Sequence, residues 1–219
     1  MRTKTLLLTA ALAAAGALSS MAQSNVYSLN IVGYVNVTLT NGGSGFTLFA
    51  NQLDFDGTGT NNTLNNVLST NMPNNTTVYK FNPSTGGYTA SSYVTGIGWL
   101  PDGTATLNPG EGAFINVPTT ATVTLVGNVL QGNLSTPYPA GFSIISSQVP
   151  QTGAIQTALG YTPQNNDTVY LFDPVAGYSA ASFVTGIGWL PSEPSIAIGQ
   201  SVFLDAAGAG NWTRTFTPQ

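Results

Sequence analysis

The side chains that could support catalysis are few in this 219-residue chain. The sequence contains no histidine and no cysteine, which excludes Ser–His–Asp triads, thiol nucleophiles and the usual zinc sites. Eight carboxylates remain, and two of them at the right separation would be the equipment of a glycosidase. The sequence therefore leaves one conventional catalytic option, a carboxylate pair.

One carboxylate-rich segment has the spacing of an oxygen-donor metal site. Asp54, Asp56 and Thr58 place side-chain oxygens at alternate positions, and Gly59 stands at the sixth position, as in calcium-binding loops. Asn65 stands where such a loop has a bidentate glutamate. Two interpretations follow: a calcium ion held by the first three residues, or an acidic, glycine-rich surface loop without a metal. No other cofactor is expected.

Aromatic residues supply the other candidate site. Trp99, Trp189, Tyr88 and Tyr178 could present ring faces to a carbohydrate ligand, with Asn and Asp side chains for its hydroxyl groups. The competing interpretation places both tryptophans in a hydrophobic core, where tryptophan packs well once its indole N–H has a partner. Two glycines just before each tryptophan favour a tight bend that turns the ring inward. We expect both tryptophans to be buried.

An internal repeat allows the charged residues of one copy to be compared with the matched residues of the other. The octapeptide VTGIGWLP occurs at residues 94–101 and again at 184–191, and the segments TVYKFNP and TVYLFDP, which begin at Thr77 and Thr168, match upstream of it. Charged residues at matched positions correspond to uncharged ones: Asp102 to Ser192, Glu111 to Gln200, Asp173 to Asn82, Asp205 to Asn116 and Lys80 to Leu171. The duplication preserved glycine, proline and aromatic residues, so we expect a scaffold without catalysis.

The pattern of short apolar runs predicts an all-β fold. β-Branched and aromatic runs alternate with Asn-Pro, Gly-Gly and Pro-Gly turn signals. Each copy also has one segment with helical spacing, at residues 63–68 behind Asn62 as N-cap and at Ile155, Ala158 and Leu159. The sequence therefore predicts two tandem pseudo-symmetric β-sandwich or β-barrel modules with one short helix each. Their predicted limits are residues 23–121 and 122–219.

The first residues have the pattern of a secretory signal peptide. Arg2 and Lys4 precede an apolar run at residues 6–18, and Ser20 and Ala22 provide small residues for cleavage. We therefore expect residues 1–22 to be a signal peptide and the protein to be secreted, to the periplasm, the cell surface or the medium. The apolar run is shorter than a bilayer-spanning helix, so no membrane insertion is expected.

The negative net charge of the chain limits which kinds of molecule it can bind. Two of the four cations lie in the predicted signal peptide, which leaves two cations against eight carboxylates. Such a surface repels phosphate backbones and anionic lipids, so nucleic acid is excluded as a partner. An extracellular glycan and a second copy of the chain remain. Residues 31–35 are similar to residues 125–129 and to the segment that begins at Trp212, and such terminal strands pair within their own chain or with a neighbouring one.

Several strand motifs resemble a recurrent two-repeat β-module of secreted bacterial proteins. They are GFTL at residues 45–48, VYKF at residues 78–81 and PGEGAFI at residues 109–115, with VYSLNIVGYVN at residues 26–36 after the signal peptide. Phe46 and Phe142 stand where that module has a tryptophan, and GQSVF at residues 199–203 lacks its second glycine. The resemblance implies a secreted protein of two β-modules. It brings no established activity, so the leading hypothesis is a non-catalytic structural or surface-interaction protein; glycan binding comes second, and a calcium-stabilised adhesin or minor enzyme third.

Overall fold

The computed structural model describes residues 31–68 and 72–217, and the predicted signal peptide at residues 1–22 lies outside them. The helix in this part of the chain is α1 (Leu64–Val67), and it is too short to cross a membrane. The prediction of an all-β fold is confirmed. The strands are β1 (Val32–Leu39), β2 (Phe46–Ala50), β3 (Thr77–Asn82), β4 (Gly87–Val94), β5 (Gly98–Leu100), β6 (Gly112–Asn116), β7 (Ala121–Asn128), β8 (Gly132–Tyr138), β9 (Gly141–Ile145), β10 (Gly153–Ala154), β11 (Thr168–Asp173), β12 (Gly177–Val184), β13 (Gly188–Leu190), β14 (Ser195–Ile196), β15 (Val202–Ala206) and β16 (Gly210–Phe216).

Two five-stranded antiparallel sheets have the same strand order. The first sheet is ordered β2-β6-β3-β4-β5, and the second is ordered β9-β15-β11-β12-β13. A two-stranded ribbon accompanies each sheet: β1 pairs with β7 in the first ribbon, and β8 pairs with β16 in the second. The terminal strands β1 and β16 therefore pair within the chain, each with its own partner strand. The predicted domain limits stay a prediction.

Each sheet turns one face toward the ribbon of its own copy. Side chains alternate along a strand, so Val78 on β3 and Ile115 on β6 point to the same face of the first sheet. They are buried there in one core with Val35 and Leu125 of the first ribbon. The second core repeats this arrangement with the following buried residues: Val169, Leu204, Tyr138 and Trp212.

The two predicted helical segments differ in the structure. α1 begins after Thr63, which has extended dihedral angles and makes no side-chain cap. The prediction that Asn62 is the cap is wrong, because the Asn62 side chain is hydrogen-bonded to Asp54 and to the Phe55 N–H. In the second copy, residues 155–159 form hydrogen-bonded turns and not a helix, since the amides of residues 158 and 159 both donate to the carbonyl of Ala154.

The repeated octapeptide is a hairpin in both copies. It joins β4 to β5 and β12 to β13, and the Ile97 and Ile187 amides close the turns on the carbonyls of residues 94 and 184, each at 3.0 Å. Gly96 and Gly98 have φ angles of 81° and 111°, which a residue with a Cβ rarely adopts. Both copies end in a cis Leu–Pro peptide. The turn geometry is therefore a physical reason for both copies of VTGIGWLP to have glycine at these positions.

The other faces of the two sheets pack against each other through an aromatic layer. Each sheet supplies five rings at matched positions: Phe46, Tyr79, Phe81, Tyr88 and Phe114 from the first, and Phe142, Tyr170, Phe172, Tyr178 and Phe203 from the second. The ring centroids of Phe114 and Phe172 are 5.3 Å apart, and those of the matched pair Phe203 and Phe81 are 5.1 Å apart. Because these two centroid distances at matched positions are nearly the same, the two copies are related by a pseudo-twofold axis.

Backbone hydrogen bonds across the layer follow the same relation. The Ala50 N–H donates to the Gly199 carbonyl at 2.9 Å, and at the matched positions the Ser146 N–H donates to the Gly110 carbonyl at 2.9 Å. Isolated bridges at residues 49 and 200 and at residues 111 and 145 form a second matched pair. This is the geometry of an isologous interface, made here within one chain.

The aromatic layer predicts where the fold is most sensitive to truncation. We expect Phe114→Ala to lower the free energy of unfolding by about 3–5 kcal/mol, because it removes a buried ring that contacts rings of both sheets. Ile97→Ala, at an exposed hairpin tip, should change it by less than about 0.5 kcal/mol. Urea unfolding followed by circular dichroism measures both, and similar losses in the two variants would contradict the prediction.

Candidate functional site

The loop proposed for calcium has its carboxylate oxygens engaged by protein donors. Asp54 is buried and accepts hydrogen bonds from the Gly59 N–H and the Asn62 amide, both at 2.9 Å. Asp56 accepts from the Asn61 amide and from the N–H and hydroxyl of Thr58, and these bonds hold the pKa of its carboxyl below the ordinary value. Residues 31–68 and 72–217 contain no cluster of three or more His, Cys, Asp or Glu side chains. The calcium site stays a prediction.

Other carboxylates close turns in the same way. Asp167 is buried and accepts hydrogen bonds from the Tyr161 hydroxyl at 2.6 Å and from the amides of residues 164 and 207 at 2.7 and 2.8 Å. Asp102, Glu111, Asp173 and Glu193 each accept at least one backbone N–H from a neighbouring loop or turn. The remaining carboxylate, on Asp205, accepts no hydrogen bond from a described residue. Most acidic residues of this protein thus stabilise loops.

The two tryptophans lie in the cores, as expected from the sequence. Trp99 is 5% exposed and Trp189 is 8% exposed. Trp99 packs on Tyr93 with a centroid distance of 5.5 Å, and Trp189 packs on Phe183 at 5.4 Å. The Trp189 indole donates to the Gln156 side chain at 2.9 Å. Buried indoles present no open face to a ligand, so of the four aromatic candidates the two tyrosines are the accessible ones.

Tyr88 and Tyr178 lie at matched positions on β4 and β12 at the solvent-exposed margin of the aromatic layer. They are 46% and 52% exposed. Partial burial raises the pKa of both phenols, and the charge of Tyr88 raises the pKa of Tyr178 further. Both line a first cleft of about 400 Å³, whose full lining is Ser44, Phe46, Tyr79, Tyr88, Phe114, Phe172 and Tyr178. The structure thus brings the two predicted tyrosines together in one aromatic cleft.

A second cleft lies beside the first. It has a volume of about 290 Å³ and is lined by Phe142, Tyr170, Tyr178 and Phe203. Phe142, Tyr170 and Phe203 occupy the positions in the second sheet that Phe46, Tyr79 and Phe114 occupy in the first. Tyr178, the counterpart of Tyr88, contributes to both clefts. The rings of the second cleft are thus the counterparts of some, but not all, of the rings of the first.

The phenylalanines of the clefts were not among the predicted site residues. A signal for them exists in the repeated pattern Val-Tyr-x-Phe, which places Tyr79 and Phe81 on one face of a strand and Val78 on the other. A strand that is apolar on both faces needs cover on both sides. Because the aromatic face repeats in both copies, the pattern indicates that the copies cover each other.

No protein-family model, curated protein or solved structure matches the chain. The resemblance to secreted two-repeat modules stays a prediction.

Burial of the indoles predicts weak quenching of tryptophan fluorescence by iodide. All three tryptophans are buried in the folded protein, Trp212 included, so iodide should reach them poorly. We expect a Stern–Volmer constant several-fold smaller than that of the protein unfolded in urea, which serves as the control. Equal quenching in the two states would show that at least one indole is exposed.

The Tyr161–Asp167 pair predicts a loss of stability in alkali. Burial and then the hydrogen bond to Asp167 raise the pKa of Tyr161 well above the ordinary value of about 10. Above about pH 10 an unfolded tyrosine ionises while folded Tyr161 keeps its proton, so the folded state binds more protons and stability falls as pH rises. Tyr161→Phe should reduce this slope in urea unfolding between about pH 8 and 11; an unchanged slope would contradict the assignment.

Proposed function

We propose that this chain is a secreted, non-catalytic surface-interaction protein that binds its partner in the first cleft. The observation that carries the proposal is the convergence of six aromatic rings on that cleft, with Tyr88 and Tyr178 about half exposed. The turn-closing role of most carboxylates supports the absence of catalysis, since these groups are committed to protein donors. An exposed, largely apolar concavity is a common form of binding site.

Neighbouring rings hold the two tyrosines in place. Tyr88 contacts Phe81 edge-on at a centroid distance of 5.2 Å, and Tyr178 contacts Phe172 in the same way at 5.1 Å. Such tilted arrangements are favourable for aromatic pairs. A rigid tyrosine loses little conformational entropy when a partner covers it, which is why tyrosine is frequent at binding surfaces. The first cleft is thus organised before any partner arrives.

The size and chemistry of the first cleft limit what it accepts. A volume of about 400 Å³ is within the range of sites for small ligands, and it also suits one protruding side chain of a larger partner. The hydroxyl groups of Ser44, Tyr79, Tyr88 and Tyr178 are the polar groups of its lining. A ligand that buries an apolar face and accepts or donates one or two hydrogen bonds matches this lining.

A carbohydrate is the second candidate ligand. The exposure of Tyr88 and Tyr178 in one cleft favours it, because a pyranose presents an apolar face of C–H groups and a rim of hydroxyls to such rings. The candidate no longer includes Trp99 and Trp189, which are buried. In this second proposal, Tyr88 and Tyr178 are the residues that contact the glycan.

The first cleft should bind a neutral apolar probe. We expect N-phenyl-1-naphthylamine to bind the folded protein with saturable fluorescence, and Tyr88→Ala to weaken binding about tenfold, the effect of removing a central aromatic contact. Tyr34→Ala removes an exposed tyrosine from the first ribbon and should leave affinity unchanged. Absence of saturable binding, or an equal loss in both variants, would show that the first cleft is not the site.

A glycan array probed with the unsubstituted protein, Tyr88→Ala and Tyr34→Ala tests whether the ligand is a carbohydrate. Signals that Tyr88→Ala abolishes and Tyr34→Ala retains would identify the carbohydrate and place it in the first cleft. An array without signal, beside clear binding of the apolar probe, would remove carbohydrate from the proposal and leave the cleft as an apolar site.

A further inference from the structure

One carboxylate that no described protein group engages, on Asp205, lies on the strand that carries Phe203 of the second cleft. Among the described residues, Asp205 is the acidic side chain without a hydrogen bond or ion pair, whereas the other acidic side chains accept hydrogen bonds in loops and turns. It is half-buried on β15. A carboxylate without a protein partner attracts a positively charged group beside it.

Strand register places Asp205 on the aromatic face of the second sheet. Asp205 and Phe203 are two residues apart on β15, while Val202 and Leu204 point into the opposite core. Phe142 on β9 is directly opposite Asp205 in the antiparallel pair, and Tyr170 on β11 is opposite Phe203. Side chains directly opposite each other in such pairs are neighbours, with Cβ atoms about 5 Å apart. The carboxylate and three of the four rings of the second cleft therefore belong to one surface.

No cation of the described chain reaches this surface. Lys80 forms an ion pair with Glu111 at 3.4 Å and lies on the face of β3 opposite to Tyr79. Arg214 lies on the second ribbon and donates to the Ala158 carbonyl and the Gln151 side chain. The charge at the second cleft is thus negative and uncompensated from within residues 31–68 and 72–217.

The two sheets differ at this position. Asn116 occupies in the first sheet the place of Asp205 in the second, opposite Phe46 instead of Phe142. The rings of the second cleft match rings of the first in type, phenylalanine with phenylalanine and tyrosine with tyrosine. The lining of the first cleft is neutral, whereas Asp205 places a negative charge on the surface that carries the rings of the second.

We propose that the second cleft binds an organic ammonium cation of the quaternary or methylated class. Phe142, Tyr170 and Phe203 provide ring faces, whose negative quadrupole attracts such a cation, and Asp205 provides the opposite charge. A methylated ammonium buries its methyl groups against the rings and needs few hydrogen-bond acceptors. A hard metal ion requires several oxygen ligands, which one carboxylate does not supply. The proposal does not rest on the function proposed for the first cleft, although the two clefts share Tyr178.

Titration of the full-length protein with choline chloride, followed by NMR at constant ionic strength, tests the proposal. We expect saturable shifts at Phe142, Tyr170 and Phe203, and binding at least about tenfold weaker for the neutral isostere 3,3-dimethylbutan-1-ol. Asp205→Asn gives the second cleft the amide of the first copy and should weaken choline binding about fivefold. Asp102→Asn makes the same change of net charge in a distant turn and should leave affinity unchanged.

Two further variants make the outcome decisive. Phe142→Leu keeps an apolar side chain at a partly exposed position and should weaken choline binding because the ring face is lost. Tyr88→Ala, which affects the first cleft, should leave choline binding intact, so failure of one cleft is distinguishable from failure of the other. The proposal is overturned if the neutral isostere binds as tightly as choline, or if Asp205→Asn and Asp102→Asn have equal effects.

Discussion

Contact between two aromatic sheet faces is the constraint from which the rest of this structure follows. Each five-stranded sheet is apolar on both sides: one face packs into the core of its own copy, and the other carries the rings of the aromatic layer. A two-stranded ribbon covers the core-facing side within each copy. The aromatic face has no cover in its own copy, and a surface of five rings exposed to water would be unstable or adhesive. The two copies therefore form one four-layered body of ribbon, sheet, sheet and ribbon.

The clefts are a consequence of this packing. Two twisted sheets cannot bury every ring of a symmetric set, and the members furthest from the centre remain open to solvent. Phe114 near the centre is buried, whereas Tyr88, Tyr178 and Phe142 at the margins are about half exposed. The interaction that holds the copies together also produces the exposed aromatic surface. The rings that pack the two copies together thus also line the clefts.

The sequence predicts the parts of this structure that depend on local pattern. Alternation and turn signals predicted the strands, and the glycines of VTGIGWLP predicted a tight bend that turns each tryptophan ring inward. Contacts between distant segments were beyond such patterns. Asn62 donates to Asp54 instead of capping the helix because the loop between them folds back on itself. The contact between Phe114 and Phe172 depends on how the two sheets pack against each other. Tyr88 and Tyr178 were foreseen as accessible aromatics, whereas the phenylalanines around them belong to strands far apart in the chain.

Asn116 and Asp205 show what covalent linkage allows an isologous interface to do. In a dimer of separate identical chains, every change on one side of the twofold axis appears on the other, so paired clefts always have the same charge. Here the two halves are encoded separately, so one copy has a carboxylate, Asp205, where the other has the amide of Asn116. Symmetry supplies the shared architecture, and this local difference gives the two aromatic faces different charge.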